Sequence, residues 1–294
     1  MKFAASTYAL PAVDHRDLLP CLRQLGLTGL EVVPSRTWSN VGKGLTGRDV
    51  TSYRYSVDQA GMEVIGLDGL LDDHPELGLF KDLETSARTA DFLVELSTIC
   101  RDLGGRTLIL GGVRRRATLS PEAAWTACRS FLEQLLPRIE THGTVLCFSP
   151  LAPNDADFCN TARECRMLVN HLDHPSFGLH LSAASQAANS DTGHTPFSAV
   201  RDRLEHFHAD EPGMTTLGAS GVVDHGDCRR HLAAISYRKW VTLKQRVTDD
   251  PFDGLENGAR YLAARYLRED NQSMRRRRRM LASLKHSLTE GVLS

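Results

Sequence analysis

Polar side chains that could do chemistry come directly after short apolar runs at several points along the chain. His208 closes the run HFH, Lys244 follows VTL, and Ser149 and Ser182 follow LCF and LHL. An imidazole can move protons near neutral pH, an ammonium can stabilise a developing negative charge, and hydroxyls can hydrogen-bond a polar substrate. We therefore predict that these four residues belong to one polar site.

Other residues at equivalent points complete a polar cup of mixed charge, suited to a small hydroxylated or anionic ligand. We predict substrate-binding roles for Ser149, Ser182, His180, Glu31, Arg114, Arg116 and Glu211. His180 and Ser182 are two residues apart, so both face the same side of a strand. The two arginines could bind phosphate or carboxylate in a bidentate manner, with a solvated loop as the alternative.

Such a cup requires strands that end at one edge. Eight apolar runs, starting at residues 2, 29, 62, 107, 145, 177, 206 and 240, alternate with longer helical patterns. Continuously apolar strands are typical of parallel sheets buried on both faces. The pattern predicts a single-domain (β/α)8 TIM barrel over residues 1–269, whose site lies at the carboxyl ends of the strands. A doubly wound open sheet is the alternative, but no strand is followed by GxGxxG.

Composition excludes several classes of protein. The 294 residues carry a formal net charge of -1, so no overall field attracts nucleic acid or an anionic membrane. No apolar run approaches the roughly 18 residues of a membrane span. The start MKFAAS lacks the pattern of a signal peptide, so we expect a cytoplasmic protein. The seven cysteines contain no CxxC pair, which predicts free thiols.

The C-terminal segment, residues 270–294, differs from the rest. It contains five consecutive arginines, 275–279, followed by a helix-like apolar spacing. We predict a short, helical, basic C-terminal extension that is either simply solvated or docks a partner protein or a second subunit. Arginines without interleaved aromatic residues make nucleic acid unlikely as a partner.

Several stretches resemble the xylose-isomerase-like barrels known as sugar phosphate isomerases/epimerases. They are GLEVVPSRTW (29–38), DHPSFGLH (173–180), HFHADEPG (206–213), GVVDH (221–225) and parts of residues 53–62 and 70–80. The resemblance covers nearly everything before the basic segment. It implies a barrel enzyme but specifies no substrate.

The resemblance also implies a divalent metal held by Glu, Asp, His and Glu on strands five to eight. Carried over by position, these ligands fall at Ser149, Ser182, His208 and Lys244, so only the histidine is retained. Hard divalent ions prefer carboxylate oxygens, and a lysine ammonium repels them. We therefore expect a divergent member with no metal and no other cofactor.

Two functions remain open. In the first, the chain is a metal-independent isomerase, epimerase or related lyase acting on a small polyhydroxylated or sugar-like carbonyl compound. His208 and Lys244 would then be the catalytic residues, with His208 as the acid/base and Lys244 stabilising an enolate at a position where the resemblance implies a metal ligand. With a lowered pKa, Lys244 could instead act as a base or form a Schiff base. In the second, the barrel is catalytically inactive and binds a ligand or partner.

Overall fold

The computed structural model describes residues 1–13, 15–112 and 114–267. The predicted basic extension and the boundary at residue 269 lie outside these residues. Eight parallel strands close into a barrel in sequence order, with β8 pairing back onto β1, and this confirms the predicted TIM barrel. The strands are β1 Lys2–Ser6, β2 Gly29–Val32, β3 Glu63–Leu67, β4 Thr107–Leu110, β5 Val145–Phe148, β6 Phe177–Ser182, β7 Leu204–Asp210 and β8 Trp240–Lys244.

Helices surround the barrel and bury their apolar faces against it. They are α1 Leu19–Gln24, α2 Pro34–Thr37, α3 Gly47–Gln59, α4 Leu83–Asp102, α5 Pro121–Glu140, α6 Ala162–Leu172, α7 Ala183–Ala188, α8 His194–Val200, α9 His225–Ala234 and α10 Pro251–Tyr266. Short 3-10 turns cover Thr7–Ala9, Arg16–Leu18 and Pro212–Met214. Among the described residues, none of the helices has the length and hydropathy that crossing a membrane requires.

Side-chain caps set where the long helices begin. Ser120 accepts a hydrogen bond from the backbone N–H of Ala123 at the start of α5, with proline at the first helical position. Thr161 and Glu164 form a capping box at the start of α6. The strand ends are thereby followed by fixed loops, and the side chains at the carboxyl edge have defined positions.

Close contact between strands leaves no room for a side chain at Gly66. This residue pairs with Thr107 across β3 and β4, and an added Cβ would lie 2.1 Å from Thr107 Oγ1 and 2.3 Å from its carbonyl oxygen.

We predict that Gly66→Ala lowers the free energy of unfolding by about 1–3 kcal/mol, because overpacking forces the two strands apart. Gly47→Ala, at the open first position of α3, should cause no loss. Urea denaturation of both variants tests this, and equal midpoints would contradict it.

Candidate active site

A buried carboxylate crosses the barrel interior from β2 to β7. Glu31 is fully buried, and its two oxygens lie 2.9 and 3.0 Å from Nε2 of His208. One of them also lies 3.0 Å from Nε2 of His206. Burial alone would raise the pKa of Glu31, but the two imidazoles outweigh it and hold that pKa well below its ordinary value. Glu31 is therefore an anion that accepts from both rings, and it fixes Nε2 of His208 as the nitrogen that carries hydrogen.

A second imidazole packs against the first. The ring of His180 on β6 lies 4.1 Å from the ring of His208, centre to centre. Its Nδ1 is 2.7 Å from the hydroxyl of Ser149, which follows β5. Burial, together with His208, His206 and Lys244, holds the pKa of His180 well below its ordinary value. His180 is therefore neutral, and Ser149 orients it.

Lys244 points into the mouth of the barrel. Its Nζ lies 2.6 Å from Oδ2 of Asp68, which follows β3, and 5.1 Å from the ring centre of Tyr8. Burial opposes ionisation, but the charges of Asp68 and Glu31 outweigh it and raise the pKa of Lys244 above its ordinary value. The expectation that Lys244 has a lowered pKa, and could thus act as a base or Schiff-base nucleophile, is wrong for this arrangement. Lys244 is a fixed ammonium.

Ser182 uses its hydroxyl within the protein. It donates to Asp210 Oδ2 at 2.7 Å and accepts from the backbone N–H of Ser185 at 3.1 Å, as the cap of α7. The other oxygen of Asp210 accepts from the backbone N–H of Ala184. The predicted role of Ser182 as a hydrogen-bond donor to substrate is corrected, because its single hydrogen is given to Asp210.

The carboxyl edge of the barrel opens into a cavity of about 580 Å³. The residues that line it include His180, Ser182, Ser149, His208 and Lys244. His180 and Ser182 therefore do face the same side, as their spacing predicts. The volume fits a small ligand of the size that common metabolite sites accept. Glu31 does not line the cavity, so the prediction that it contacts substrate is corrected. It orients His208 instead.

Both predicted arginines lie outside this cavity. The guanidinium of Arg114 is buried over the ring of Phe148 and donates to the backbone carbonyls of Ser149, Phe158 and Cys159. Arg116 is held by Asp157. Both arginines thus join the loops after β4 and β5 and do not reach this cavity. Arg114 lines a neighbouring cavity of about 580 Å³, and its Nη1 has no hydrogen-bond partner among the described residues, so its binding of phosphate or carboxylate stays a prediction for that cavity.

Glu211 lies at the rim of the cavity but also serves the protein itself. Its carboxylate accepts from the backbone N–H of Gly218 at 2.8 Å, from the Ser220 hydroxyl, and from His225 Nε2 at 3.0 Å. Both oxygens are thus used to order the loop after β7. Because Glu211 also lines the cavity, its contact with substrate hydroxyls stays a prediction beside this structural role.

The four positions at which the family resemblance implies metal ligands do not fit a divalent ion. The hydroxyl of Ser149 is hydrogen-bonded to His180, and the hydroxyl of Ser182 is hydrogen-bonded to Asp210. Lys244 adds a positive charge. Three of the four positions thus lack the anionic oxygen that such an ion prefers.

Another group of metal-ligating side chains does come together. Within the described residues, ligand atoms of Glu31, His206 and His208 lie within 4.8 Å of one another. Two imidazoles and a carboxylate can bind zinc or ferrous iron. Here the same atoms are hydrogen-bonded to one another at 2.9–3.0 Å, and Thr242 Oγ1 lies 2.9 Å from His206 Nε2. Nε2 of each imidazole is therefore used within this network, whereas Nδ1 of His206 and Nδ1 of His208 have no hydrogen-bond partner among the described residues.

Comparison with known proteins identifies the family. The profile of the xylose isomerase-like TIM barrel matches residues 21–265. The chain belongs to the xylose isomerase-like TIM barrel family. No curated protein sequence is significantly similar to this member of the family.

Solved structures of similar fold include three sugar epimerases. D-psicose 3-epimerase from Clostridium cellulolyticum H10, solved with D-tagatose, has a TM-score of 0.73 at 16% identity, covering 98% of this chain and 99% of that one. D-allulose 3-epimerase from Methylomonas sp., in complex with D-allulose, has a TM-score of 0.75 at 15% identity, with 90% and 97% covered. 3-Keto-D-glucoside 4-epimerase from E. coli has a TM-score of 0.71 at 17% identity, with 90% and 99% covered. At these identities the likeness concerns the fold.

Sequence reasoning missed three residues of the site. His206 precedes His208 by two residues, so the alternation along β7 was a usable signal. Tyr8 and Asp72 lie in loops after β1 and β3, where no periodicity marks a side chain as facing the cavity.

The low pKa of His180 gives a testable dependence of stability on pH. The unfolded chain binds a proton at this imidazole below about pH 6.5, whereas the folded chain does so only at lower pH. The folded state is therefore penalised increasingly as the pH falls from about 6.5. We predict that His180→Gln reduces the slope of unfolding free energy against pH by up to about 1.4 kcal/mol per unit between pH 6.5 and 5. The exposed His171→Gln should leave the slope unchanged. Urea titrations across pH measure this, and identical slopes for both variants would contradict it.

Proposed function

We propose that this protein is a metal-independent isomerase or epimerase that moves a proton next to the carbonyl of a small polyhydroxylated compound. The observation that carries the proposal is the pairing of His208 with Lys244 around one cavity. His208 is oriented by Glu31 through Nε2, and Lys244 is held as an ammonium by Asp68. Deprotonation next to a carbonyl needs a base and a group that stabilises the enolate oxygen, and these two residues provide both.

The residues act in a defined order in this proposal. His208 takes the proton from the carbon through its Nδ1, which has no hydrogen-bond partner among the described residues. The C–H electron pair forms a carbon–carbon double bond, and the carbonyl electrons move to oxygen, where Lys244 stabilises them. Returning a proton to the same or the neighbouring carbon gives an epimer or an isomer. The epimerases of similar fold support a sugar-like substrate.

The charge of the cavity wall favours an uncharged substrate within this class. Carboxyl groups outnumber cations in the cavity wall, which contains Lys244 and Arg246 together with Asp68, Asp72, Asp155, Asp210 and Glu211. A phosphate ester would add negative charge next to this excess of acidic groups, whereas a free ketose would not. We therefore expect free ketoses to be better substrates than their phosphate esters.

Loss of a carbon-bound proton signal in D2O tests the proposal whatever product is formed. The probes are D-fructose, D-allulose, D-tagatose and D-fructose 6-phosphate, followed by proton NMR. We predict that the wild type deuterates at least one free ketose next to its carbonyl. Lys244→Met should lower that rate by about 100-fold or more for every ketose that exchanges, since electrostatic contributions are of this order. His208→Gln should do the same for each ketose whose hydrogen His208 removes.

Matched controls separate chemistry from general damage. Lys239→Met removes a lysine just before β8, at the opposite end of the barrel, and His231→Gln removes a histidine of α9. Both should keep the wild-type rate. A wild type that deuterates none of the probes would overturn the proposal and favour an inactive barrel that binds a ligand or partner. Unchanged rates in His208→Gln or Lys244→Met would overturn the assigned roles.

A further inference from the structure

Asp72 occupies the opposite wall of the cavity from His208. It lies in the loop after β3, and β3 and β7 are four strands apart in the closed ring of eight. Both residues line the same cavity of about 580 Å³. Asp72 is an exposed residue four positions after the Asp68 that holds Lys244, and it borders two neighbouring cavities as well as this one.

The surroundings of Asp72 suit proton donation. Its Oδ2 accepts a hydrogen bond from the hydroxyl of Tyr8. Partial burial and the charges of Asp68 and Asp73 raise the pKa of Asp72, against the opposing effects of Tyr8 and Lys244. Burial and the neighbouring carboxylates also raise the pKa of Tyr8, so its hydroxyl keeps its hydrogen. A carboxyl with a raised pKa in a cavity is typical of a general acid or base.

We propose that Asp72 is the second acid/base residue of the site and that, with His208, it equips the barrel for proton transfer with inversion. This rests on the function proposed above and narrows it to epimerisation. A substrate whose carbonyl oxygen contacts Lys244 would have His208 facing one side of the neighbouring carbon and Asp72 facing the other.

The reaction balances without a further reactant. His208 removes the proton, the C–H electrons form the enolate, and Lys244 stabilises its oxygen. Protonated Asp72 then gives its proton to the opposite face of the same carbon, the enolate electrons form the new C–H bond, and the carbonyl is restored. The step leaves His208 protonated and Asp72 ionised, and proton exchange with water resets them. In the reverse direction the two residues exchange roles.

The two C3 epimers D-fructose and D-allulose test this assignment, because each presents its C3 hydrogen to a different wall. In D2O, Asp72→Asn should lower interconversion of the two ketoses by about 100-fold or more. One epimer should still exchange its C3 hydrogen through His208, within about threefold of the wild-type rate, while the other loses exchange. In His208→Gln, the epimer that loses exchange in Asp72→Asn should keep it, and the other epimer should lose it. Asp17→Asn removes an exposed carboxyl in the 3-10 turn Arg16–Leu18, outside the cavity, and should behave as the wild type does.

Tyr8→Phe provides a second readout that keeps the carboxyl of Asp72. The Tyr8 hydrogen bond favours the carboxylate, so its loss should move the limb of the pH–rate profile due to Asp72 to higher pH. The groups that face Asp72 and set this limb are Tyr8, Asp68, Asp73 and Lys244.

The outcomes separate the two proposals. If the wild type exchanges the C3 hydrogen and Asp72→Asn interconverts the epimers at the wild-type rate, the role of Asp72 is overturned and the proposed proton-transfer function stands. An unmoved pH–rate profile in Tyr8→Phe would also contradict the role of Asp72. If the wild type exchanges neither epimer, the proposed function fails for these ketoses and this inference falls with it.

Discussion

The site depends on one fully buried carboxylate. An ionised group without water costs several kcal/mol unless partners compensate it, and Glu31 obtains them from His206 and His208 on the far side of the barrel. This interaction joins β2 to β7 and directs Nδ1 of His208 away from the carboxylate. Removal of one partner would leave a charge or a polar ring nitrogen buried without compensation. The orientation of His208 is therefore part of what stabilises the barrel.

The second constraint is the balance of charge at the mouth. Lys244 is the residue at the end of β8, and Asp68, at the end of β3, holds it at 2.6 Å. In this member of the family a positive charge at the strand ends comes from a side chain, where the family pattern implies an ion. A lysine is a point charge on a flexible stem, and the contact with Asp68 gives it a fixed position. Carboxyl groups outnumber the two cations of the cavity wall, Lys244 and Arg246, which favours polar, uncharged groups.

The sequence predicted the barrel well because buried parallel strands are continuous apolar runs whose limits are visible in the chain. Six strands begin at the predicted residue, whereas β3 begins one residue later and β7 begins two residues earlier than predicted. It also identified His208, His180 and Lys244 as facing one cavity, because strand periodicity determines direction. The sequence could not predict which of these side chains contact one another. Glu31 and His208 are 177 residues apart, and no local pattern specifies their contact.

Loops account for the remaining differences. Arg114 follows a strand end, as a ligand-binding residue does, but its guanidinium donates hydrogen bonds to backbone carbonyls of the β5–α6 loop. Glu211 similarly accepts hydrogen bonds from Gly218 and His225. Asp72 was missed for the converse reason, since it reaches the cavity from a loop, beyond the end of β3. Loop conformation depends on tertiary contacts that strand and helix periodicity do not encode.

The central claim is that side chains alone, with Lys244 as the cation, supply the chemistry of this barrel. It is tested most directly by assaying proton exchange of ketoses in D2O before and after exhaustive chelation, with the metal content of the same samples measured by mass spectrometry. We predict an unchanged exchange rate at well under one equivalent of any divalent metal. Loss of exchange on chelation, restored by adding a single divalent ion, would contradict it and direct attention to Glu31, His206 and His208.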